Sequence, residues 1–242
     1  TATTEIYTLS LHDALRSLKP GSVVSDTAVL DAYSGDYSLV ARCKPALLVF
    51  PENMEEVRAV VRLANESRTP LTPVSSGPPR FHGGAIPARG GAIVDFSRMN
   101  RIMKMDTLNR CAIVEAGVRY GQLIPELKKH GLKLNIPLLP RASKSVVASL
   151  LEREPGLIPK YQYDYVDPLL TLEVVYGTGD DFRTGSASGP GSFEALKTDK
   201  VNPWGPGAID YVRFLSGAQG TMGLVTWAAT KAEILPSLRK LY

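Results

Sequence analysis

Residues 45–77 read PALLVFPENMEEVRAVVRLANESRTPLTPVSSG, and this stretch decides the fold class. Pro45 to Phe50 is a short apolar run that stops at Pro51, as a buried strand does. Asn53 stands at an N-cap position with Glu56 three residues on, the spacing of a capping box. Met54, Val57, Val60, Val61 and Ala64 then recur at helical spacing, which predicts an amphipathic helix over 54–66. Leu71 to Ser75 reads as a second strand. The stretch is therefore a βαβ unit whose second strand runs directly into a Gly/Pro-rich loop.

Working outward, the pattern stops being regular. Ala92 to Asp95, Ile102 to Asp106 and Ala112 to Ala116 are short β-like runs, and Tyr120 to His130 is a helix stopped by Gly131, with Pro125 tolerable only near its first turn. Ser145 to Arg153 allows a helical turn or two. Leu170 to Tyr176 and Asp181 to Thr184, joined by Gly177-Thr178-Gly179, read as a hairpin. Tyr211 to Ser216 reads as helix, and Leu224 to Leu235 as one or two final strands. A βαβ unit followed by strands and helices intermixed indicates an α+β fold and no regular doubly wound sheet. There is no internal repeat, and the Gly185 to Ser192 tract reads as a flexible loop.

Composition narrows the partners. The 242 residues carry 28 Lys+Arg against 24 Asp+Glu, a net charge of +4 with no dense basic run, so nucleic acid is not expected as a partner. Two cysteines, Cys43 and Cys111, are too few for a disulfide framework, and no apolar run reaches the ~18 residues of a transmembrane segment. Thr1 to Leu15 has no features of a secretory signal, and the expectation is a cytoplasmic protein. Thr4 to Leu15 resembles translated adapter DNA, so residues 1–15 are read as a non-native segment and left out of the fold. The 21 Gly and 18 Pro concentrate in the loops 76–91 and 177–207, where function is to be sought.

Several chemistries lack their residues. No G-x-G-x-x-G follows a strand and no Walker loop occurs, and there is no G-x-S-x-G elbow for a hydrolase. His12, His82 and His130 are far apart, without a Cys-x-x-Cys or His-Glu-x-x-His, so no metal site is expected. The acidic pairs Asp180-Asp181 and Glu152/Glu154 read as a turn and a solvated face. What does follow a strand is Val74-Ser75-Ser76-Gly77-Pro78-Pro79-Arg80-Phe81-His82-Gly83-Gly84-Ala85. Ser hydroxyls and unblocked N–H groups at Ser75, Ser76, Gly77, Arg80 and His82 suit an anion, although an ordinary surface turn has the same composition.

Six segments in order carry a family resemblance. Gly83-Gly84-Ala85-x-Pro87, then Ile93-Val94-Asp95 with Arg98-Met99-Asn100-Arg101-Ile102, then Glu115-x-Gly117-Val118 before Gly121-Gln122-Leu123, are followed by Leu172-Glu173-Val174-Val175, Arg183-Thr184-Gly185 and Gly220-Thr221-Met222-Gly223-Leu224-Val225-Thr226. From about Leu18 to Pro236 the chain resembles the FAD-binding (PCMH-type) domain of the vanillyl-alcohol oxidase / p-cresol methylhydroxylase superfamily, which includes glycolate and D-lactate dehydrogenases. The resemblance implies two α+β subdomains, 16–98 and 99–242, holding FAD extended between them, with a C-terminal substrate (cap) domain absent. It implies that Ser75, Ser76, Gly77, Pro78 and Pro79 wrap the pyrophosphate, helped by Arg80, His82, Gly83 and Gly84. Ser145, Ala148 and Ser149 correspond to a second flavin-contacting turn, and Val225 to a position whose backbone meets the adenine end.

The chain departs from the family in ways that matter. Pro78 and Pro79 stand where many relatives have Gly and Thr, which removes two N–H donors and leaves binding to fewer donors or to Ser and Arg80 side chains. In members that attach FAD covalently through this loop a His stands at the position of Pro79, so the FAD is expected to be non-covalent, with His82 close enough in sequence to be worth testing. Ala148 replaces a Gly, and Leu138 stands where phenol oxidisers carry an acidic residue. The function implied is an FAD-dependent oxidoreductase taking a hydride from an alcohol, 2-hydroxy acid or phenol, with a small-molecule substrate and with oxygen, a cytochrome or a quinone as electron acceptor. No catalytic residue is identifiable. The alternatives are a non-catalytic binding module on the same fold with weakened FAD affinity and, less favoured, an NADPH-linked reductase of a sugar-nucleotide enolpyruvyl ether.

Overall fold

A computed structural model describes residues 19–137, 140–154, 168–185 and 211–237. Its first sheet is built by the βαβ stretch. β1 (Val23–Val24) leads to α1 (Thr27–Ala32), which is capped by the Asp26 carboxylate accepting from the Ala28 and Val29 N–H groups. β2 (Leu47–Val49), α2 (Met54–Glu66), β3 (Leu71–Val74) and β4 (Ala92–Asp95) complete a four-stranded sheet in the order β1-β2-β4-β3, with β1 antiparallel and the others parallel. The α2 start is as its residues dictate: Asn53 Oδ1 accepts from the Glu56 N–H at 2.9 Å, while Glu56 reaches back to the Glu52 N–H. Val57, Val60, Val61 and Ala64 form its buried stripe, and each valine so buried contributes about 1.5 kcal/mol or more.

The second sheet is antiparallel throughout. β5 (Ile102–Asp106), β6 (Cys111–Glu115), β8 (Leu169–Val175), β9 (Asp181–Arg183) and β10 (Leu224–Lys231) run in the order β5-β6-β10-β8-β9. Between β6 and β8 come α3 (Tyr120–Lys129), β7 (Leu132–Lys133) and α4 (Val146–Leu151). A short α5 (Val212–Leu215) precedes β10, and β11 (Glu233–Ile234) pairs with β7. Gly131, at φ +67°, ends α3 as its position foretells. Pro125 is the sixth residue of α3, in its second turn and not its first as expected, so the helix forgoes one backbone hydrogen bond there. Residues 186–192 of the Gly185 to Ser192 tract, Leu138 and residues 1–15 lie outside the described residues.

The two sheets are welded along one seam. Leu47, Val49, Val57, Phe96 and Met99 from the first half share a buried cluster with Ala116, Val175 and Leu224 from the second. Gly117 marks the closest approach: a Cβ there would lie 2.1 Å from the Phe96 carbonyl oxygen, so only glycine fits. Its N–H donates to the Met99 carbonyl at 2.8 Å, and the Ala116 N–H to Thr226 at 2.8 Å. On the far side α2 grips the β8–β9 hairpin through Asn65 to the Gly177 carbonyl and an Arg58–Asp181 ion pair at 3.3 Å.

Candidate functional site

A cleft of about 280 Å3 opens beside this seam, at the carboxyl end of β3, the side of a parallel sheet where ligands dock. Where the sheets meet it is lined by Val74, Phe96, Ala116 and Val225. The loop after β3 gives one wall, with Ser75, Ser76, Arg80, Phe81, His82, Gly84 and Ala85. Lys144 and α4 with its trailing residues, namely Val147, Ala148, Leu151, Glu152 and Glu154, give another. Leu215 and the turn from Ala218 to Gly223 close the third side. The lining is thus apolar over much of its area, with charges gathered at the loop and at the end of α4.

Of the residues singled out from sequence, Ser75, Ser76, Arg80, His82, Gly84, Ala148 and Val225 line the cleft. Gly77, Pro78, Pro79, Gly83, Ser145 and Ser149 do not; they hold the wall from behind. The Gly77 N–H, expected to be unblocked, donates to the Ser143 carbonyl at 2.8 Å, and the Gly83 N–H is likewise spent on Asp36 Oδ2 at 2.7 Å. Pro78 and Pro79, joined by a cis peptide, have no N–H to offer. Ser145 caps α4, its Oγ accepting from Ala148 N–H at 3.1 Å and donating to the Ala116 carbonyl, while its own N–H donates to Ser76 Oγ at 3.0 Å. Ser149 is buried, accepting from Tyr120 OH at 3.0 Å and donating to Glu154.

The loop wall retains donors. Among the described residues the backbone N–H groups of Ser76, Arg80, His82 and Gly84 have no partner. Asp36, beside them, stays ionised: burial opposes this, but the Ser38 side chain and the Ser38 and Gly83 N–H groups hold its carboxyl below the usual range.

The α4 wall is self-satisfied. Lys144, its side chain 5% exposed, pairs with Glu152 and lies 3.3 Å from Glu154, which His82 approaches at 3.5 Å. His82, Glu152 and Glu154 are close enough to share a cation, but the Lys144 ammonium already occupies the position between the two carboxylates. Arg141 donates to the Pro79 carbonyl and stacks on Phe81, its guanidinium carbon 4.5 Å from the ring centroid. Sequence reading missed Asp36, Arg141, Lys144 and Leu215, which reach the cleft from separate elements and share no local spacing.

Comparison with known proteins adds a family. The FAD binding domain family matches residues 45–185, more than half of the chain. This chain belongs to that family. It is 28% identical over 230 residues to the D-2-hydroxyglutarate dehydrogenase of Stutzerimonas stutzeri, covering 94% of this chain and 46% of the relative. It is 32% identical over 165 residues to the 4-cresol dehydrogenase [hydroxylating] flavoprotein subunit of Pseudomonas putida, 67% of this chain and 30% of that one. The crystal structure of p-cresol methylhydroxylase with substrate bound superposes with a TM-score of 0.79 at 25% identity, covering 98% of this chain and 45% of that structure. The chain therefore spans less than half the length of these relatives.

The fold is the α+β fold of PCMH-type FAD-binding proteins, and FAD is the family's cofactor. The cleft fits it: unpartnered N–H groups and a cation on the loop suit a diphosphate, and the apolar surface of Val147, Leu151, Leu215 and Met222 suits fused rings. Among the described residues no helix is long and apolar enough to cross a membrane.

Proposed function

We propose that FAD lies extended along the cleft, its diphosphate against the loop 75–85, and that the whole protein is an oxidoreductase acting on a small alcohol, 2-hydroxy acid or phenol. The bound flavin supplies the redox chemistry by accepting a hydride. This chain's residues hold and shield: the free N–H groups of Ser76, Arg80, His82 and Gly84 fix the diphosphate, and Val147, Leu151 and Leu215 exclude water from the rings. Val225 borders the adenine end. Electrons leave for oxygen, a cytochrome or a quinone. The two sheets support a division into subdomains 16–98 and 99–242, with the cleft between them.

The observation that carries the reading is that the loop which sequence marks for an anion lines the cleft with a cation and with backbone donors that have no partner among the described residues. The names of two relatives, a 2-hydroxyglutarate dehydrogenase and a 4-cresol dehydrogenase, support a hydroxy acid or a phenol as substrate class. The test is to purify the chain and record absorbance near about 450 nm, where a bound oxidised flavin absorbs. A yellow protein that loses its colour on acid precipitation is expected, since the loop has no covalent attachment residue at Pro79. A folded, colourless chain that takes up no added FAD would sink the reading and return the non-catalytic alternative.

A further inference from the structure

The loop wall has a shortage and, next to it, a surplus. Prolines at 78 and 79 lack N–H groups, and the Gly77 and Gly83 N–H groups are spent on Ser143 and Asp36. The residue that follows the two prolines is Arg80. Its side chain lines the cleft yet is only 11% exposed, because three groups hold it. Its Nε donates to the Ser76 carbonyl at 2.9 Å, and its guanidinium carbon stands 4.5 Å from the centre of the Tyr33 ring. Its Nη2 lies 3.8 Å from Asp95 Oδ2, an oxygen that also accepts from Tyr33 OH at 2.7 Å.

The way these groups are spent points to a purpose. Asp95 is buried, and its two oxygens are already committed, Oδ1 to the Ser97 N–H at 2.8 Å and Oδ2 to Tyr33. At 3.8 Å Arg80 Nη2 is beyond hydrogen-bond range of it, so the carboxylate steers the guanidinium without consuming its donors. The Tyr33 hydroxyl, beside it, also interacts with the guanidinium. A guanidinium carries five N–H donors in a planar fork suited to phosphate oxygens. Here Nε is spent on Ser76 and Tyr33 takes part of the rest, so most of the fork is left over. The other cations of the cleft are not free in this way: Lys144 is held between Glu152 and Glu154, and Arg141 is bonded to Pro79.

We propose that Tyr33, Asp95 and the Ser76 carbonyl form a latch that presents the Arg80 fork to the cofactor's diphosphate, and that this fork replaces the N–H donors the two prolines lack. The proposal rests on the reading of the cleft as the FAD site. Arg80 is the ligand-contacting residue, and Tyr33 and Asp95 are positioning residues. A cation immobilised before binding loses little further rotamer freedom when the ligand arrives, which is where the latch gains its affinity. Burial first, and then the charge of Asp95, push the Tyr33 phenol up to about 12, so it stays a donor to Asp95 across the working pH range.

The experiment titrates the purified chain with FAD and with riboflavin, which has the same ring system and no diphosphate, following flavin fluorescence and recording a melting curve for each variant. Arg80→Gln is expected to weaken FAD by about 10- to 100-fold, the range for hydrogen bonds to a charged group, and riboflavin hardly at all. Arg80→Lys keeps the charge and loses the fork, and is expected to recover only part of the loss. Tyr33→Phe removes one oxygen, is expected to weaken FAD by about 3- to 10-fold with riboflavin unchanged, and decides the matter if Arg80→Gln does not fold. FAD binding by Arg80→Gln and Tyr33→Phe equal to that of the parent overturns the latch while leaving the cleft as the FAD site. Equal losses for FAD and riboflavin overturn it too, since they mark a merely structural role. A folded parent chain that binds no FAD overturns the reading of the site and the latch with it.

Discussion

The two charged walls of the cleft carry similar residues and treat them oppositely. On the loop wall Arg80 keeps donors to spare, and four neighbouring backbone N–H groups have no partner among the described residues. On the α4 wall Lys144, Glu152, Glu154, Ser149 and Tyr120 form a closed chain of ion pairs and hydrogen bonds. A buried polar group that satisfies its neighbours stabilises the fold, and one left unsatisfied at a cleft awaits a ligand. The difference assigns binding to the first wall and support to the second.

The largest expected effect strikes the seam on which both walls stand. Gly117→Ala would drive a methyl group to 2.1 Å from one backbone oxygen and 2.8 Å from another. Neither can yield cheaply, so a loss of about 3 kcal/mol or more is expected, read by denaturant unfolding. FAD affinity should fall with it, because both walls shift; a stable variant with weakened FAD alone would place the seam's role in binding instead.

Next comes the α4 wall itself. Lys144→Met leaves Glu152 and Glu154 facing each other without their cation, and breaking a buried ion pair costs about 3–5 kcal/mol, reduced here to about 2–3 because the two carboxylates keep some contact with solvent. FAD affinity should change by no more than a few-fold. The opposite result, intact stability with FAD binding lost, would break the comparison by making Lys144 a ligand.

How far all this was legible follows from the range of the interactions. The Asn53–Glu56 cap, the apolar stripe of α2 and the Gly177-Thr178-Gly179 turn are local, and the sequence shows them within a residue or so of where they stand. The short β1 and α1 were not foreseen, since two residues of strand carry no period to detect. The cleft was legible as a loop and not as a wall. Nothing in Ser75 to Ala85 tells that Ser143 takes the Gly77 N–H or that Tyr33 and Asp95 hold Arg80, because those partners lie 15 to 66 positions away and are chosen by packing.

Each wall also holds one tyrosine, and both phenols, Tyr33 and Tyr120, titrate above the ordinary value. Burial pushes Tyr120 up to about 12, with Glu154 and Glu152 adding to the effect against the Ser149 hydrogen bond. The folded protein therefore keeps the Tyr120 proton above the ordinary value of 10.0, at pH where the unfolded chain has lost it. Its contribution is complete below about pH 10 and disappears as pH rises toward 12, a loss on the order of 2 kcal/mol. Tyr120→Phe should make this alkaline limb shallower in stability measured against pH, with Tyr33 keeping its own share. An unchanged limb would show that the α4 network does not depend on the phenol.

The smallest effect tests whether the α4 wall is only a support. Ala148 lines the cleft from within α4, at a position where the family resemblance leads one to expect glycine. Its N–H is already the donor to the Ser145 cap, so the side chain alone differs between the two choices. In a helix of six residues glycine costs about 0.5–1 kcal/mol through the backbone freedom it must give up, and Ala148→Gly should destabilise the chain by that amount. Removing the methyl widens the cleft beside the proposed flavin position. FAD should therefore bind the variant equally or a few-fold more tightly while the melting temperature falls. Tighter binding would show that this chain has traded a little room at the cofactor for a firmer helix, with Arg80 carrying the affinity from the opposite wall. Weaker binding would mean that the methyl group itself packs on the cofactor, and the division between a binding wall and a supporting one would no longer hold.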